Sequence, residues 1–187
     1  MHLPNGAIYK TDFIDAVEES ALVDWLDRLV WDESLKRRVQ HFSYRYDYKA
    51  RTVLPEAYLG PLSRELSTIA QRLVDSGHFA SLPDQVIANE YRPGHGISAH
   101  IDCVPCFDDT IVSVSLLSQC EMIFTENAGS SKSSIMLERR SAIILQNEAR
   151  YGWTHAIPAR KSDVINGKRV PRDRRISLTF RRVTKEL

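Results

Sequence analysis

The chain has no apolar run approaching the roughly 20 residues that cross a bilayer, and residues 1–13 lack the basic start and apolar core of an export signal. No membrane association is expected, and a soluble, cytoplasmic, monomeric protein is the reading. Cysteine is scarce. Cys103, Cys106 and Cys120 are odd in number and too few for a disulfide framework, which agrees with a reducing compartment. Cys103 and Cys106 form a C-x-x-C, but no second pair completes a tetrahedral zinc site. They read as small apolar residues or as oxidation-prone neighbours of a site. An excess of one charge is missing too: 25 Lys+Arg against 24 Asp+Glu leave a net charge of +1, so no overall basicity announces a polyanion. Repeats, linkers and low-complexity stretches are absent. What remains is 187 residues at 43% hydrophobic, enough for one sizeable core, and a single domain over 1–187 is expected.

The charge present is sorted along the chain. Acids from Asp12 to Glu33 face only Lys10 and Arg28 over residues 1–35, whereas Arg160, Lys161, Lys168, Arg169, Arg172, Arg174, Arg175, Arg181 and Arg182 crowd the other end. Such a cluster ordinarily means a solvated face, and it is compatible with a nucleic-acid partner.

Asp15-Ala-Val-Glu18 has the spacing of a capping box, and Leu22, Trp25, Leu26 and Leu29 follow at helical spacing. Pro61 opens a second helix, whose stripe is Leu62, Leu66, Ile69 and Leu73 and whose stop is Gly77. After Leu82 the pattern turns to short strands over 85–92, 97–102, 110–117, 121–126, 134–138, 142–146, 154–158 and 174–183, separated by breakers such as Pro93-Gly94 and Asn166-Gly167. Two helices followed by a string of strands predict a mainly β fold with flanking helices, an antiparallel barrel or sandwich.

His100 and Asp102 sit two apart in a predicted strand, so both side chains leave the same face and can share one ion. Two histidines and one carboxylate form the facial set that suits non-haem iron(II) and leaves coordination positions open. His155, in or beside another strand, is the candidate third ligand. H-x-D also arises by chance, and His2, His41, His78 and His95 carry no such pattern. Along the last strand, Arg175, Ser177, Thr179 and Arg181 alternate with Ile176, Leu178 and Phe180. The polar set either lies on an exposed edge or lines a barrel interior. In the interior two guanidiniums require anionic partners, and a dicarboxylate suits the planar fork of arginine. Asn89 and Tyr91 share a face of the strand preceding the metal strand and can address the same ligand.

Taken together, Asn89-x-Tyr91 with Pro93-Gly94, His100-x-Asp102, His155 and the run Arg175-x-Ser-Leu-Thr-Phe-Arg181 resemble the AlkB family of 2-oxoglutarate oxygenases, over about residues 40–183. The resemblance implies a double-stranded β-helix, or jelly-roll barrel. It also implies iron(II), 2-oxoglutarate and dioxygen, with N-alkylated bases as substrates. Position by position, it makes His100, Asp102 and His155 the iron ligands. Arg175 and Tyr91 meet the distal carboxylate, Arg181 and Asn89 lie nearer the chelating end, and Ser177 stands where the family often has asparagine. Tyr44, Tyr46 and Tyr48 alternate along Phe42 to Lys49, one aromatic face with Arg45, Lys49 and Arg51 nearby, unless Tyr46 and Tyr48 are simply the half-buried face of a strand. Residues about 40–55 resemble the family's nucleotide-recognition lid, in which Tyr44, Tyr46 and Arg45 would stack a base and hold its backbone. The expected reaction is dealkylation of N-alkylated bases in single-stranded DNA or RNA, as alkylation repair. Val104 stands where repair members commonly carry a base-recognising aspartate. The run from Phe107 to Leu116, with Arg139-Arg140-Ser141, looks closer to the branch whose familiar member hydroxylates a modified wobble uridine of transfer RNA. Hydroxylation or demethylation of transfer-RNA bases is therefore the alternative expectation, followed by oxygenation of a protein or small molecule.

Overall fold

The computed structural model describes residues 2–184. Two antiparallel sheets face one another. The larger runs in the order β1 (Ala7–Lys10), β8 (Ala142–Leu145), β5 (Ile111–Leu116), β12 (Arg175–Arg181), β3 (Gln85–Tyr91), β2 (Val39–Phe42). The smaller is β4 (Ile97–His100), β9 (Trp153–Ile157), β6 (Cys120–Glu126), β7 (Lys132–Leu137), and a separate hairpin joins β10 (Ser162–Ile165) to β11 (Lys168–Pro171).

The alternation in the last strand decides the layering. Every residue of β12 is buried, because the strand lies in mid-sheet between β5 and β3. Its Ile176, Leu178 and Phe180 pack with Leu22 and Leu26 of α1 (Ala16–Asp27) and with Leu66, Ile69 and Leu73 of α2 (Arg64–Asp75). A second core, including Phe124, Ile143, Leu145 and Ile157, fills the space between the sheets. The fold is the expected mainly β jelly roll with flanking helices, and the exposed-edge alternative for β12 is excluded by its central place.

Helix α1 has the capping box read from the sequence: the Glu18 backbone N–H donates to Asp15 Oδ1 at 2.8 Å, and the Asp15 N–H to Glu18 Oε2 at 3.1 Å. Helix α2 begins at Arg64 rather than at Pro61, because the Ser63 hydroxyl accepts from the Leu66 N–H and caps it there. Gly77, at φ +75, ends it in the left-handed region. Three further readings need correction. The strand expected over 97–102 stops at His100, leaving Asp102 in the loop beyond. Tyr44, Tyr46 and Tyr48 lie in a segment that forms no continuous strand and has isolated bridges instead, Tyr44 to Tyr58 and Asp47 to Thr52. Cys103 and Cys106 are joined by a disulfide, which the turn between them permits, while Cys120 is buried and free.

Carboxylates pin α1 to the sheet. Glu19 is buried, accepts from the Leu117 N–H at 2.7 Å and pairs with Arg139. Below it, Glu90 is 2% exposed and bonded by Arg38 and Arg174, the latter also paired with Asp27 at the end of α1. Burial pushes the Glu90 carboxyl up, but the hydrogen bonds from Arg38 and Arg174 outweigh it and hold the group below the usual carboxylate range. A depressed folded value stabilises the protein above the unfolded value, and this contribution is lost as pH falls through the folded one. Glu90→Gln is therefore expected to lower stability at neutral pH by roughly 1.5–3 kcal/mol. Urea midpoints of variant and wild type should converge below about pH 4; a gap independent of pH would contradict this role.

Candidate metal and dicarboxylate site

His100 and His155 are direct partners in the β4–β9 ladder, with ring centroids 4.4 Å apart. The ladder thus brings the two histidines together from separate strands, while the strand alternation expected to put Asp102 on the face of His100 does not apply, because β4 ends at His100. Asp102 arrives from the loop, its Oδ2 3.6 Å from His155 Nε2, and one ligand atom from each of the three lies within 4.8 Å of the others. His100 Nδ1 donates to the Ser98 carbonyl at 2.8 Å, since a carbonyl can only accept, and Nε2 is the nitrogen left for an ion. Burial pushes the His155 imidazole down to about 4 against the pull of Asp102, so it is neutral and able to ligate at pH 7. For Asp102 burial acts upward, but Arg181 first, then His155 and His100, hold the carboxyl far below the ordinary range. The imidazoles of His100 and His155 with the ionised carboxylate of Asp102 are the donor chemistry a divalent ion requires.

These three open onto a cavity of about 290 Å³ between the sheets. Arg181 donates from Nε to Asp102 Oδ1 at 2.9 Å and from Nη1 to Gln85 at 3.1 Å, and its guanidinium lies over the ring of Phe107. The β12–β3 register sets Arg175 opposite Tyr91 and Ser177 opposite Asn89. Asn89, Tyr91 and Ser177 line the cavity, with Ser177 hydrogen-bonded to Ser113 at 2.8 Å. Arg175 stands behind the wall with its guanidinium 5.4 Å from the Tyr91 ring centre. It is 2% exposed and gives Nη2 to Ser115, while Nε and Nη1 are buried with no hydrogen-bond partner. A buried cation with two orphaned donors fits a carboxylate ligand, because leaving such donors unpaired is costly.

Of the expected lid residues, Tyr46 is in the cavity wall, its ring 5.9 Å from Phe107. Tyr44 instead stacks on Tyr58 at 5.0 Å, and exposed Arg45 borders a separate groove beside His41. Tyr48 and Arg51, read from the sequence in the same lid segment as Tyr46, are in the wall as well. Two further wall residues were not read from the sequence: Phe107, in the loop after Asp102, and Arg37, which donates from Nε to Asn89 Oδ1 at 3.0 Å. The wall consequently holds three arginines, Arg37, Arg51 and Arg181, against one carboxylate, Asp102.

Comparison with known proteins agrees with this donor set. Residues 21–181 match the family model described as the 2OG-Fe(II) oxygenase superfamily. A mouse protein named tRNA (carboxymethyluridine(34)-5-O)-methyltransferase ALKBH8 is 39% identical over 171 residues, which is 87% of this chain but only 26% of that protein. Uncharacterized protein L905 of Acanthamoeba polyphaga mimivirus is 35% identical over 189 residues, covering 97% of this chain and 87% of that one. Among solved structures, that of OsALKBH1 superposes with a TM-score of 0.75 at 17% identity, over 97% of this chain and 99% of its own, which bears on the fold.

Proposed function

The chain belongs to the 2OG-Fe(II) oxygenase superfamily, in its AlkB-type branch, and from that premise we propose that it oxidises a neutral or anionic alkyl-bearing base in single-stranded RNA. His100, Asp102 and His155 would hold iron(II), and Arg175, Tyr91 and Asn89 would hold 2-oxoglutarate, with Arg181 and Ser177 completing the polar wall. When bound, these cofactors supply the oxidation of a C–H bond, coupled to decarboxylation of the keto acid. The chain's own residues position the target and exclude competitors.

The charge of the wall carries the choice of substrate. The charges of iron(II) and of a dicarboxylate cancel, and Asp102 offsets Arg181, to which it is bonded. Arg37 and Arg51 remain. A base with a fixed positive charge, such as N1-methyladenine or N3-methylcytosine, would enter a cationic cavity with no free carboxylate to meet it. A uridine whose substituent is uncharged or carries a carboxylate meets no such penalty. The mouse relative is named for carboxymethyluridine 34 of tRNA, a base of this kind in that protein. Tyr46 and Tyr48 offer stacking faces, and exposed Arg51 can meet a phosphate. A base outside a duplex reaches such a pocket without the few kcal/mol of unstacking.

Mass spectrometry on a matched panel tests this reading. The panel is one stem-loop RNA bearing 5-carboxymethyluridine, its methyl ester, N1-methyladenine or N3-methylcytosine, with iron(II), ascorbate and 2-oxoglutarate present. Oxidation of one of the uridines at least about tenfold faster than of either cationic base is expected, a preference worth about 1.4 kcal/mol. Rates should fall as salt rises. Release of formaldehyde from the cationic bases at an equal or greater rate would return the assignment to alkylation repair.

A further inference from the structure

Arg150 lies in the five-residue helix α3 (Asn147–Tyr151), immediately before the strand that carries His155. It is 2% exposed, the bulkiest fully buried side chain among the described residues. Its donors go to main-chain carbonyls: Nη1 to Asp102 at 3.0 Å, Nη2 to Cys103 at 3.3 Å and Phe107 at 3.4 Å, and Nε to Asp108 at 3.4 Å. The ring of Tyr151 lies 4.8 Å from the guanidinium carbon.

The four acceptors share one loop, 102–108, which leaves β4 and leads toward β5. Asp102 and Cys103 are at its start, and Phe107 and Asp108 at its end. One planar fork therefore gathers both ends of the segment that presents a metal donor, and it does so from the element that leads into another. This arrangement answers a specific need of the site. His100 and His155 are set by a strand ladder, but Asp102 lies beyond the end of β4, where no ladder fixes its main chain. A buried guanidinium is costly to desolvate, and its retention here without a carboxylate receiving its hydrogen bonds points to what it holds.

We propose that Arg150 is a positioning residue of the metal site, fixing the main chain of Asp102 relative to His155 so that the carboxylate meets the two imidazoles. The inference rests on reading His100, Asp102 and His155 as the metal ligands. It goes beyond that reading in assigning their spacing to a side chain that touches neither metal nor substrate. Lysine keeps the charge but, as a single compact head, cannot reach both ends of the loop. Outer partners of metal ligands commonly account for 10- to 100-fold in affinity.

The test is a titration of the full chain with cobalt(II), followed by visible absorption, alongside thermal melts of the metal-free protein. Wild type, Arg150→Lys, Arg150→Gln and Asp102→Asn are compared. The Arg150 variants should bind cobalt(II) roughly 10- to 100-fold more weakly than wild type, with an altered absorption band and a smaller metal-induced rise in melting temperature. Wild-type affinity and band in a folded Arg150 variant, however low its melting temperature, would reduce Arg150 to a purely structural residue and overturn the inference. Should neither variant fold, Arg150→Met, which fills the buried space without a charge or donors, decides the matter: a spectrum and affinity identical to wild type overturn the inference, and weakened binding upholds it. Failure of the wild type itself to bind cobalt(II), or unchanged binding in Asp102→Asn, would instead sink the metal-site reading on which the inference stands.

Discussion

Asp102→Asn and His155→Ala are each expected to abolish 2-oxoglutarate turnover, with losses exceeding about 100-fold, since changes merely behind metal ligands already cost 10- to 100-fold. Asparagine is the more telling replacement at position 102. Its amide oxygen can still accept from Arg181 Nε, which now donates to Asp102 Oδ1 at 2.9 Å, so the buried guanidinium keeps one partner and the fold should survive. What disappears is the negative charge that a divalent ion needs from its only anionic protein donor. Alanine at 155 removes one of the two imidazoles that the β4–β9 ladder brings to 4.4 Å. Succinate formation under saturating iron(II) and 2-oxoglutarate measures the loss, with circular dichroism to establish folding. Turnover within tenfold of wild type in either folded variant would refute the ligand assignment.

Arg175→Met should separate two quantities that usually fall together. Affinity for 2-oxoglutarate should drop by roughly 10- to 150-fold, because a charge-assisted hydrogen bond contributes about 1.5–3 kcal/mol. The ligand-free protein should lose little stability or gain some. In its absence the wild-type guanidinium has only Ser115 as a hydrogen-bond partner and two buried nitrogens without one, and replacing a poorly satisfied buried ion by an apolar side chain is often neutral or favourable. Calorimetric titration with 2-oxoglutarate in the presence of manganese(II), paired with urea unfolding without ligand, measures both. Unchanged affinity would remove Arg175 from the cofactor site, and a large loss of stability would show that its role is in the fold.

The parts of the site legible in sequence are those where a regular element forces the geometry. Arg175 and Arg181 could be placed because β12 alternates between a wholly apolar and a wholly polar face, and both faces are buried. Asn89 and Tyr91 followed from the same period in β3. Arg37 was not legible. It sits in the run Lys36-Arg37-Arg38, and only the β2–β3 register, with Val39 opposite Asn89, turns Arg37 toward Asn89 while Arg38 reaches Glu90. Arg150 was hidden by the brevity of α3, where five residues give no usable period. Strands β1, β2, β10 and β11 were not read from the sequence either. Tyr44 and Tyr46 were read as one aromatic face, but without a continuous strand there is no alternation to hold them together, and they diverge.

The place of β12 also bears on the order of events during synthesis. It occupies residues Arg175–Arg181, yet it lies in the middle of the larger sheet, hydrogen-bonded to β5 on one side and β3 on the other. Until the ribosome has passed Arg181, strands made many residues earlier have a gap between them, and α1 and α2 lack much of the surface they will cover. The chain must wait with apolar strands exposed, as expected of folds dominated by distant pairings. Strand β12 brings Arg175 and Arg181 with it, so any capacity to bind a keto acid through them and closure of the sheet should appear in the same step.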